Sequence, residues 1–263
     1  MRLIDTHCHL NLDEAFPDLE AEVRFAQQEG VDGLVVIGID VASSKRAIEI
    51  ADQFEGVFAT LGVHPNHSSD FTEQTISELA ALAAHPKVKA IGEIGLDYHW
   101  NYASRDEQFR ALEAQLALAE QNQLPIVFHC REAYSDLLGV LESKQPKVPC
   151  VLHCFAGNES DAERAQSLDC YFGVDGPLTY KNAETLRQIV RKLPQDRVLV
   201  ETDAPYLTPV PFRGKPNRPA YVKFVNSMLA SIWEVSPEAA AEQTTANAVR
   251  FFDLPFEPET DLR

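Results

Sequence analysis

The chain has 263 residues, of which 45% are hydrophobic, and a formal net charge of −17. Its length suits one large α/β domain or two small ones, and its hydrophobic fraction suffices for a sizeable core. The acidic charge disfavours broad electrostatic binding to nucleic acid or anionic membranes, although metal ions can reverse the potential at a local site.

Cysteine usage and hydropathy indicate the compartment. The five cysteines are odd in number and lack a metal-finger spacing, which disfavours a disulfide framework. No apolar run of about 18 residues or more occurs, so we expect no membrane span. A strand-like segment begins directly after Arg2 and leaves no room for a signal peptide. We therefore expect a cytoplasmic protein, and nothing in the sequence indicates an obligate protein partner.

Eight apolar runs of strand length alternate with segments of helical spacing. The predicted strands lie at residues 3–4, 33–39, 57–63, 89–94, 125–129, 150–153, 170–174 and 198–203. The first predicted helices cover residues 18–28, 42–54 and 72–84. Ser104 and Glu107 form a capping box that opens a longer helix to about residue 121. A helix over residues 220–233 and another opening at Ser236-Pro237 follow the last strand.

This alternation predicts an α/β fold, a (β/α)₈ TIM barrel with an additional C-terminal helix. The unbroken apolar character of runs such as residues 33–39 is typical of strands buried on both faces of a parallel sheet. No internal linker or low-complexity tract interrupts the pattern. We expect a single barrel domain over residues 1–254 and a solvated tail over residues 255–263.

Residues that suit metal binding follow the predicted strands where each strand ends. His7 and His9 alternate along the first strand and so point to the same side. The other candidates leave five further strands and are His64, Glu93, His129, His153, Glu201 and Asp203. Taken singly, each histidine could be structural and Glu93 a buried acid bonded to backbone donors. Together they predict a metal site, because barrel enzymes build active sites at this edge and burying many titratable groups without an ion is costly.

Three cysteines directly follow predicted ligand histidines. Cys8, Cys130 and Cys154 each stand one residue after such a histidine. Strand alternation turns their thiols away from the site and towards the surrounding helices. We therefore expect packing roles for the three thiols and disfavour a thiolate zinc site.

Six motifs along the chain share one pattern of histidines and acids at strand ends. They are Asp5-Thr6-His7-Cys8-His9, Gly62-Val63-His64-Pro65, Gly92-Glu93-Ile94-Gly95-Leu96-Asp97-Tyr98, His129-Cys130-Arg131-Glu132-Ala133, His153-Cys154-Phe155-Ala156-Gly157 and Glu201-Thr202-Asp203-Ala204-Pro205-Tyr206-Leu207. With Arg213-Gly214-Lys215-Pro216-Asn217, they closely resemble the TatD family of metal-dependent hydrolases and deoxyribonucleases, which belongs to the amidohydrolase-like barrels. The resemblance runs from about residue 2 to residue 252.

The resemblance implies a site for two divalent metal ions. The implied ligands are His7, His9 and Asp203 for one ion, His129 and His153 for the other, and Glu93 as the bridge. Every one of these positions carries the expected residue type. Nitrogen and oxygen ligands without sulfur suit zinc, manganese or magnesium, and the sequence does not choose among them.

The resemblance also implies phosphodiester hydrolysis, namely deoxyribonuclease activity with 3′–5′ exonuclease action on DNA ends or single strands. Two ions about 3.5–4 Å apart can generate an attacking hydroxide between them and stabilise the charge that develops on the phosphoryl group. Asp203 is the expected general base alongside its ligand role. Glu201 and His64 are further catalytic candidates, although each could instead support the ligands.

Candidate substrate contacts flank the predicted site. Arg131 could meet a phosphate or form a surface ion pair, and Asp97 could face the phosphate or support a ligand. Arg213 belongs to the segment 204–219, which contains three basic residues and no acidic residue. This basic rim would accept the backbone of DNA, the expected substrate and partner.

Three aromatic residues, Tyr98, Trp100 and Tyr102, stand in the loop after the fourth strand. They could stack on nucleobases, with Tyr98 as a substrate contact. The alternative is that they close the barrel mouth.

Two other functions stay open. Such a site can also activate water for attack on esters, amides or lactones, including aminoacyl-tRNA esters. A metal-binding protein without turnover is the third hypothesis, and its signature would be a missing ligand or a missing Asp203, neither of which occurs here.

Overall fold

The structure is a computed structural model that describes residues 2–256. The strands in this range are β1 Leu3–Cys8, β2 Val31–Val36, β3 Val57–Leu61, β4 Val88–Asp97, β5 Ile126–Arg131, β6 Cys150–Leu152, β7 Tyr171–Val174 and β8 Val198–Val200. The α-helices in the same range are α1 Leu19–Gln28, α2 Val41–Gln53, α3 Glu73–Leu82, α4 Arg105–Asn122, α5 Tyr134–Lys144, α6 Glu159–Ser167, α7 Glu184–Lys192, α8 Val222–Trp233 and α9 Pro237–Phe252. None of these helices is long and apolar enough to cross a membrane.

The eight strands form one parallel sheet in sequence order, from β1 to β8. Backbone hydrogen bonds join its first and last strands just beyond β8. The Asp203 N–H donates to the His7 carbonyl at 2.8 Å, and the His9 N–H donates to the Ala204 carbonyl at 2.8 Å. The predicted (β/α)₈ barrel with an additional C-terminal helix is therefore confirmed.

Local capping chemistry accounts for where several helices begin. Ser104 and Glu107 make the predicted capping box at the start of α4, and Ser236 caps α9 with Pro237 at its first position. Four strands, β2, β3, β6 and β8, end earlier than predicted. Strand β6 stops before His153 and β8 stops before Glu201, so their functional residues lie in the turns that follow.

Helix α9 closes the N-terminal opening of the barrel. Inside the barrel, apolar side chains such as Ile4 and Phe58 pack against Phe251 and Phe252 of α9. A second and larger apolar layer lies between the strands and the surrounding helices. Among residues 2–256, α9 therefore fills the N-terminal end of the barrel with apolar side chains.

The predicted tail begins with residues that pack on the barrel. The Phe256 ring contacts Phe58 edge-on, with centroids 5.9 Å apart, and the Arg2 guanidinium lies 5.7 Å from the Phe256 centroid. Residues 257–263 of that tail lie outside the described residues. The domain boundary at residue 254 stays a prediction.

Candidate metal centre

The C-terminal ends of the strands bring all six predicted metal ligands together. Their ligand atoms, with His64, fall into three groups in which all atoms lie within 4.8 Å of one another. The groups are His7–His9–Asp203, His7–Glu93–His153 and His64–Glu93–His129. Because His7 and Glu93 each belong to two groups, the three groups form one continuous cluster.

Glu93 occupies the middle of this cluster. Its Oε1 lies 2.8 Å from His129 Nδ1 and 2.8 Å from His153 Nε2, and its Oε2 lies 3.5 Å from His7 Nε2. Burial by itself would raise the pKa of Glu93, but the surrounding His153, His64 and His129 hold that pKa well below its usual range. Glu93 is thus an ionised carboxylate that faces both halves of the predicted site.

The half of the cluster next to β1 contains the first predicted ion site. Asp203 Oδ1 lies 3.2 Å from His9 Nε2 and 3.7 Å from His7 Nε2. His7 is fully buried, and neither of its ring nitrogens has a hydrogen-bond partner among residues 2–256. Buried polar atoms without partners are uncommon, and a neutral imidazole nitrogen is a good metal ligand. This donor set therefore fits a divalent cation.

Two carboxylates fix the orientation of the other predicted ligands. Asp97 Oδ2 lies 3.0 Å from His129 Nε2, and Glu201 Oε1 lies 3.4 Å from His153 Nδ1. In each histidine the second ring nitrogen then faces Glu93. Such an acid behind a ligand histidine sets both the ring angle and the position of its proton.

Glu201 lies beside the nitrogen of His153 that faces away from Glu93. It is 1% exposed, and it accepts the Cys154 N–H at 2.6 Å. Gly173 of β7 makes room for it, since a Cβ at that position would collide with the Glu201 carboxylate. These contacts favour a positioning role, and a direct catalytic role for Glu201 stays a prediction.

His64 joins the cluster through its Nε2 atom, which carries the ring proton. Its Nδ1 accepts the Asn66 backbone N–H at 3.0 Å, so in the neutral ring the proton must sit on Nε2, which lies 3.8 Å from Glu93 Oε1. Burial, reinforced by nearby His129, lowers the pKa of His64 to about 3, which keeps the ring neutral. A metal ion bound at Nε2 would require the proton to be on Nδ1. That proton would then point at the Asn66 backbone N–H, which is also a donor. This arrangement favours His64 as a hydrogen-bond donor towards the site over His64 as a metal ligand.

Asp5 is a buried acid whose role the sequence did not reveal. Its Oδ1 accepts the backbone N–H groups of Thr202 at 2.9 Å and His7 at 3.3 Å, and its Oδ2 accepts the Thr202 hydroxyl at 2.6 Å. One extra residue between Asp5 and Cys8 interrupts the pairing of β1 with β2. Asp5 thereby fixes the backbone of two ligand-bearing segments. An acid inside an otherwise apolar strand was the signal that could have found it.

Two buried glutamines of α4 hold the ends of β3 and β4. Gln108 accepts the Asp97 N–H at 2.9 Å and donates to the Asp97 carbonyl at 2.9 Å. Gln115, two helical turns later, makes the same pair of bonds to Val63, at 2.7 and 3.2 Å. The two glutamines lie seven residues apart on the buried face of α4, where side-chain amides need hydrogen-bond partners. This spacing could have predicted their role from the sequence.

The predicted substrate contacts divide into two kinds. Arg131 and Arg213 lie at the open end, each over an aromatic ring, and neither forms an ion pair with a carboxylate of residues 2–256. Tyr98 instead donates its hydroxyl to Asp136 at 2.6 Å, and Arg105 covers its ring at 3.8 Å. Both functional parts of Tyr98 already contact protein groups, so a substrate contact for Tyr98 stays a prediction.

The predicted direction of one of the three thiols is wrong. Cys8 and Cys130 are buried in the outer apolar layer, as expected. Cys154 is only half-buried, and its thiol lies beside the Asp175 carboxyl at the end of β7. Strand alternation does not apply to it, because β6 ends at Leu152 and Cys154 has a left-handed backbone with φ of 44°. Burial raises the pKa of Cys154 well above the usual thiol value, which still disfavours a thiolate ligand.

Comparison with known proteins shows the same pattern over nearly the whole chain. Residues 4–253 match the family described as TatD related DNase. The chain is 41% identical to the uncharacterized metal-dependent hydrolase YabD of Bacillus subtilis, over 96% of this chain and 99% of that protein. It is 34% identical to the 3′-5′ ssDNA/RNA exonuclease TatD of Erwinia billingiae, over 96% of this chain and 100% of that protein.

Structural similarity agrees with these matches. The crystal structure of YJJV, a TatD homolog from Escherichia coli K12, has a TM-score of 0.91 and 32% identity, covering 97% of this chain and 99% of that chain. The matched residues include every predicted metal ligand. The chain therefore belongs to the TatD-related DNase family of metal-dependent hydrolases.

Proposed function

We propose that this protein is a metal-dependent phosphodiesterase, a deoxyribonuclease that removes nucleotides from 3′ ends of single-stranded or frayed DNA. The observation that carries the proposal is the position of Glu93, one carboxylate shared by His7, His129 and His153. The relative from Erwinia billingiae, which is named a 3′-5′ ssDNA/RNA exonuclease, supports the substrate class.

The described ligands suit two divalent ions of zinc, manganese or magnesium. The first would be held by His7, His9 and Asp203, and the second by His129 and His153, with Glu93 between them. When bound, such ions act as Lewis acids towards a phosphoryl oxygen and lower the pKa of a coordinated water.

The protein's own groups then divide the remaining work. Asp203 lies at the open edge with a partly exposed carboxylate, where it accepts the proton of the attacking water. His64 donates its Nε2–H to a non-bridging phosphoryl oxygen and so stabilises the negative charge that grows there. Asp97 and Glu201 keep His129 and His153 in the orientation the site needs.

The rim of the barrel suits a polyanion despite the acidic chain. Arg131 and Arg213, both without carboxylate partners among the described residues, flank the open end. Asn217 holds the loop that carries Arg213, because its side chain donates to the carbonyls of Thr202 at 2.8 Å and Tyr206 at 2.7 Å. A phosphate backbone would therefore meet two available cations on a fixed surface.

The decisive experiment is hydrolysis of 5′-labelled single-stranded DNA by chelator-treated protein, titrated with zinc, manganese and magnesium. We expect stepwise shortening from the 3′ end that requires added metal and is absent in His129→Ala. The same preparation is tested on a carboxyl ester and a lactone. Ester or lactone turnover without phosphodiester turnover would replace the proposal with the ester hydrolase hypothesis.

The location of the protein is a separate proposal. We place it in the cytoplasm, on the free thiols of all five cysteines and the DNA substrate proposed above.

A further inference from the structure

Exposed apolar side chains concentrate at the open end of the barrel. Of the five large apolar residues that are exposed within residues 2–256, four lie in the loops after β4 and β8. These four are Trp100, Tyr102, Tyr206 and Val210. Large exposed aromatic groups beside a functional site commonly mark a binding surface.

We propose that Trp100 and Tyr102 form a stacking ledge that binds unpaired nucleobases next to the metal centre. The inference rests on the proposed nuclease function and adds to it the part of the substrate that is recognised. Trp100 is 46% exposed and Tyr102 is 65% exposed. Their ring centroids lie 5.9 Å apart with an interplanar angle of 30°, so two exposed aromatic rings stand next to each other.

The ledge is anchored to a carboxylate that also contacts a predicted metal ligand. The backbone N–H groups of His99 and Trp100 donate to Asp97 Oδ1 at 2.9 and 3.1 Å. The other oxygen of Asp97 pairs with His129. One carboxylate therefore sets both the orientation of a ligand and the position of the Trp100 backbone, so a base held on the ledge has a defined distance from the site.

A cation accompanies the ledge. The Arg131 guanidinium lies 5.8 Å from the Trp100 ring centroid and forms no ion pair with a carboxylate of residues 2–256. An aromatic face next to an available guanidinium matches a base joined to its phosphate. Arg105 shows the contrast, because it covers Tyr98 and pairs with Asp136 at 3.7 Å.

This chemistry selects single strands. A base inside a duplex has both faces covered by neighbouring base pairs, whereas an unpaired or terminal base has a free face for an aromatic side chain. Stacking tolerates all four bases, so the ledge gives strand selectivity without sequence selectivity.

The first test uses tryptophan fluorescence of the metal-loaded protein. The chain has two tryptophans, and Trp233 is 8% exposed, so a response to a ligand in solution reports mainly on Trp100. A phosphorothioate oligothymidylate, which resists hydrolysis, should quench the emission, whereas an abasic phosphorothioate of equal length should not. The response should vanish in Trp100→Phe. Equal quenching by both oligomers would overturn the ledge.

The second test uses kinetics. In the wild-type enzyme, KM for an oligothymidylate should be about tenfold lower than KM for the abasic oligomer, the scale of one stacked base. This advantage should fall to about one in Trp100→Ala and persist in part in Trp100→Phe. Val235→Ala, an exposed apolar change in the turn between α8 and α9, should retain the full advantage. An unchanged advantage in Trp100→Ala would refute the inference.

The two tests separate the ledge from the proposed activity. Hydrolysis of both oligomers without a base-dependent advantage would leave the nuclease function standing and reject the ledge. Base-dependent quenching without hydrolysis of any phosphodiester would support the ledge and reject the nuclease function. Self-association that depends on Trp100, seen by light scattering without base-dependent quenching, would instead assign the aromatic surface to a second copy of the chain.

Discussion

The two ends of the barrel are built from opposite chemistry. The C-terminal end gathers buried histidines and acids around Glu93, with nitrogens of His7 that have no partner among the described residues. The N-terminal end is closed by apolar side chains of α9 such as Phe251 and Phe252. Apolar packing fills one end and the predicted ligands lie at the other, so substitutions at the two ends should change different measured quantities.

The largest expected effect is at the reactive end. The Asp203 carboxylate is both a predicted metal ligand and the proposed proton acceptor, and Asp203→Asn replaces it with a neutral amide. We therefore expect kcat to fall by about 10³-fold or more. The unfolding midpoint of the metal-free variant should stay within about 3 °C of wild type, because no apolar packing is lost. Rate assays and calorimetry on the same preparation measure both quantities. Near-normal turnover would exclude Asp203 as the base.

The sealed end should show the reverse pattern. Phe252 is 1% exposed, and Phe252→Ala should lower the free energy of unfolding by about 3–5 kcal/mol through lost burial and the cavity left behind. Metal content and kcat, measured well below the unfolding temperature, should match wild type. Chemical denaturation with Val235→Ala as a surface control provides the comparison. Loss of bound metal in Phe252→Ala would show that the two ends are coupled.

Glu201→Gln tests whether Glu201 positions His153 or takes part directly in catalysis. The amide keeps an acceptor for the Cys154 N–H but removes the charge beside His153, so we expect metal affinity to fall about 10- to 100-fold. Excess metal should restore most of the activity. A loss as deep as that of Asp203→Asn, which added metal did not reverse, would instead give Glu201 a direct catalytic role.

The smallest expected effect concerns Cys130. This thiol packs in the outer apolar layer, so Cys130→Ala should cost about 1 kcal/mol of unfolding free energy and leave the metal content unchanged. Elemental analysis beside denaturant unfolding measures both. If the variant lost one metal equivalent, the Cys130 thiol would not lie in the outer apolar layer but would contribute to metal binding.

The positions of the ligands were predictable, but their pairing was not. His129 and Glu93 follow apolar runs, and parallel strands bring such residues to one edge, so the cluster could be expected from sequence. Which nitrogen of His129 faces Glu93 depends on Asp97, the last residue of β4, which lies beyond the predicted strand end at residue 94. The sequence left both a supporting and a direct role open for Asp97 and Glu201, and the contacts with His129 and His153 favour the supporting role.

Predictions based on regular strand alternation failed where a strand ended. Cys8 lies within β1 and follows the expected alternation, whereas Cys154 lies beyond β6 and turns towards Asp175. The extra residue after Asp5 is a similar departure, since β1 and β2 pair out of step there. Periodicity describes side-chain direction only while the backbone repeats, and functional residues gather where the repeat stops.

Asp5 joins the beginning of the chain to Thr202, 197 residues later. The predicted ligands extend from His7 to Asp203, so a growing polypeptide shorter than 203 residues lacks part of the first predicted ion site. Asp5 meets its partner only when the last strand closes the barrel, which makes the ligand cluster a late product of synthesis. The predicted site is thereby completed only after the eighth strand has been synthesised, and a truncated product with His129 and His153 but without Asp203 carries an incomplete set of predicted ligands.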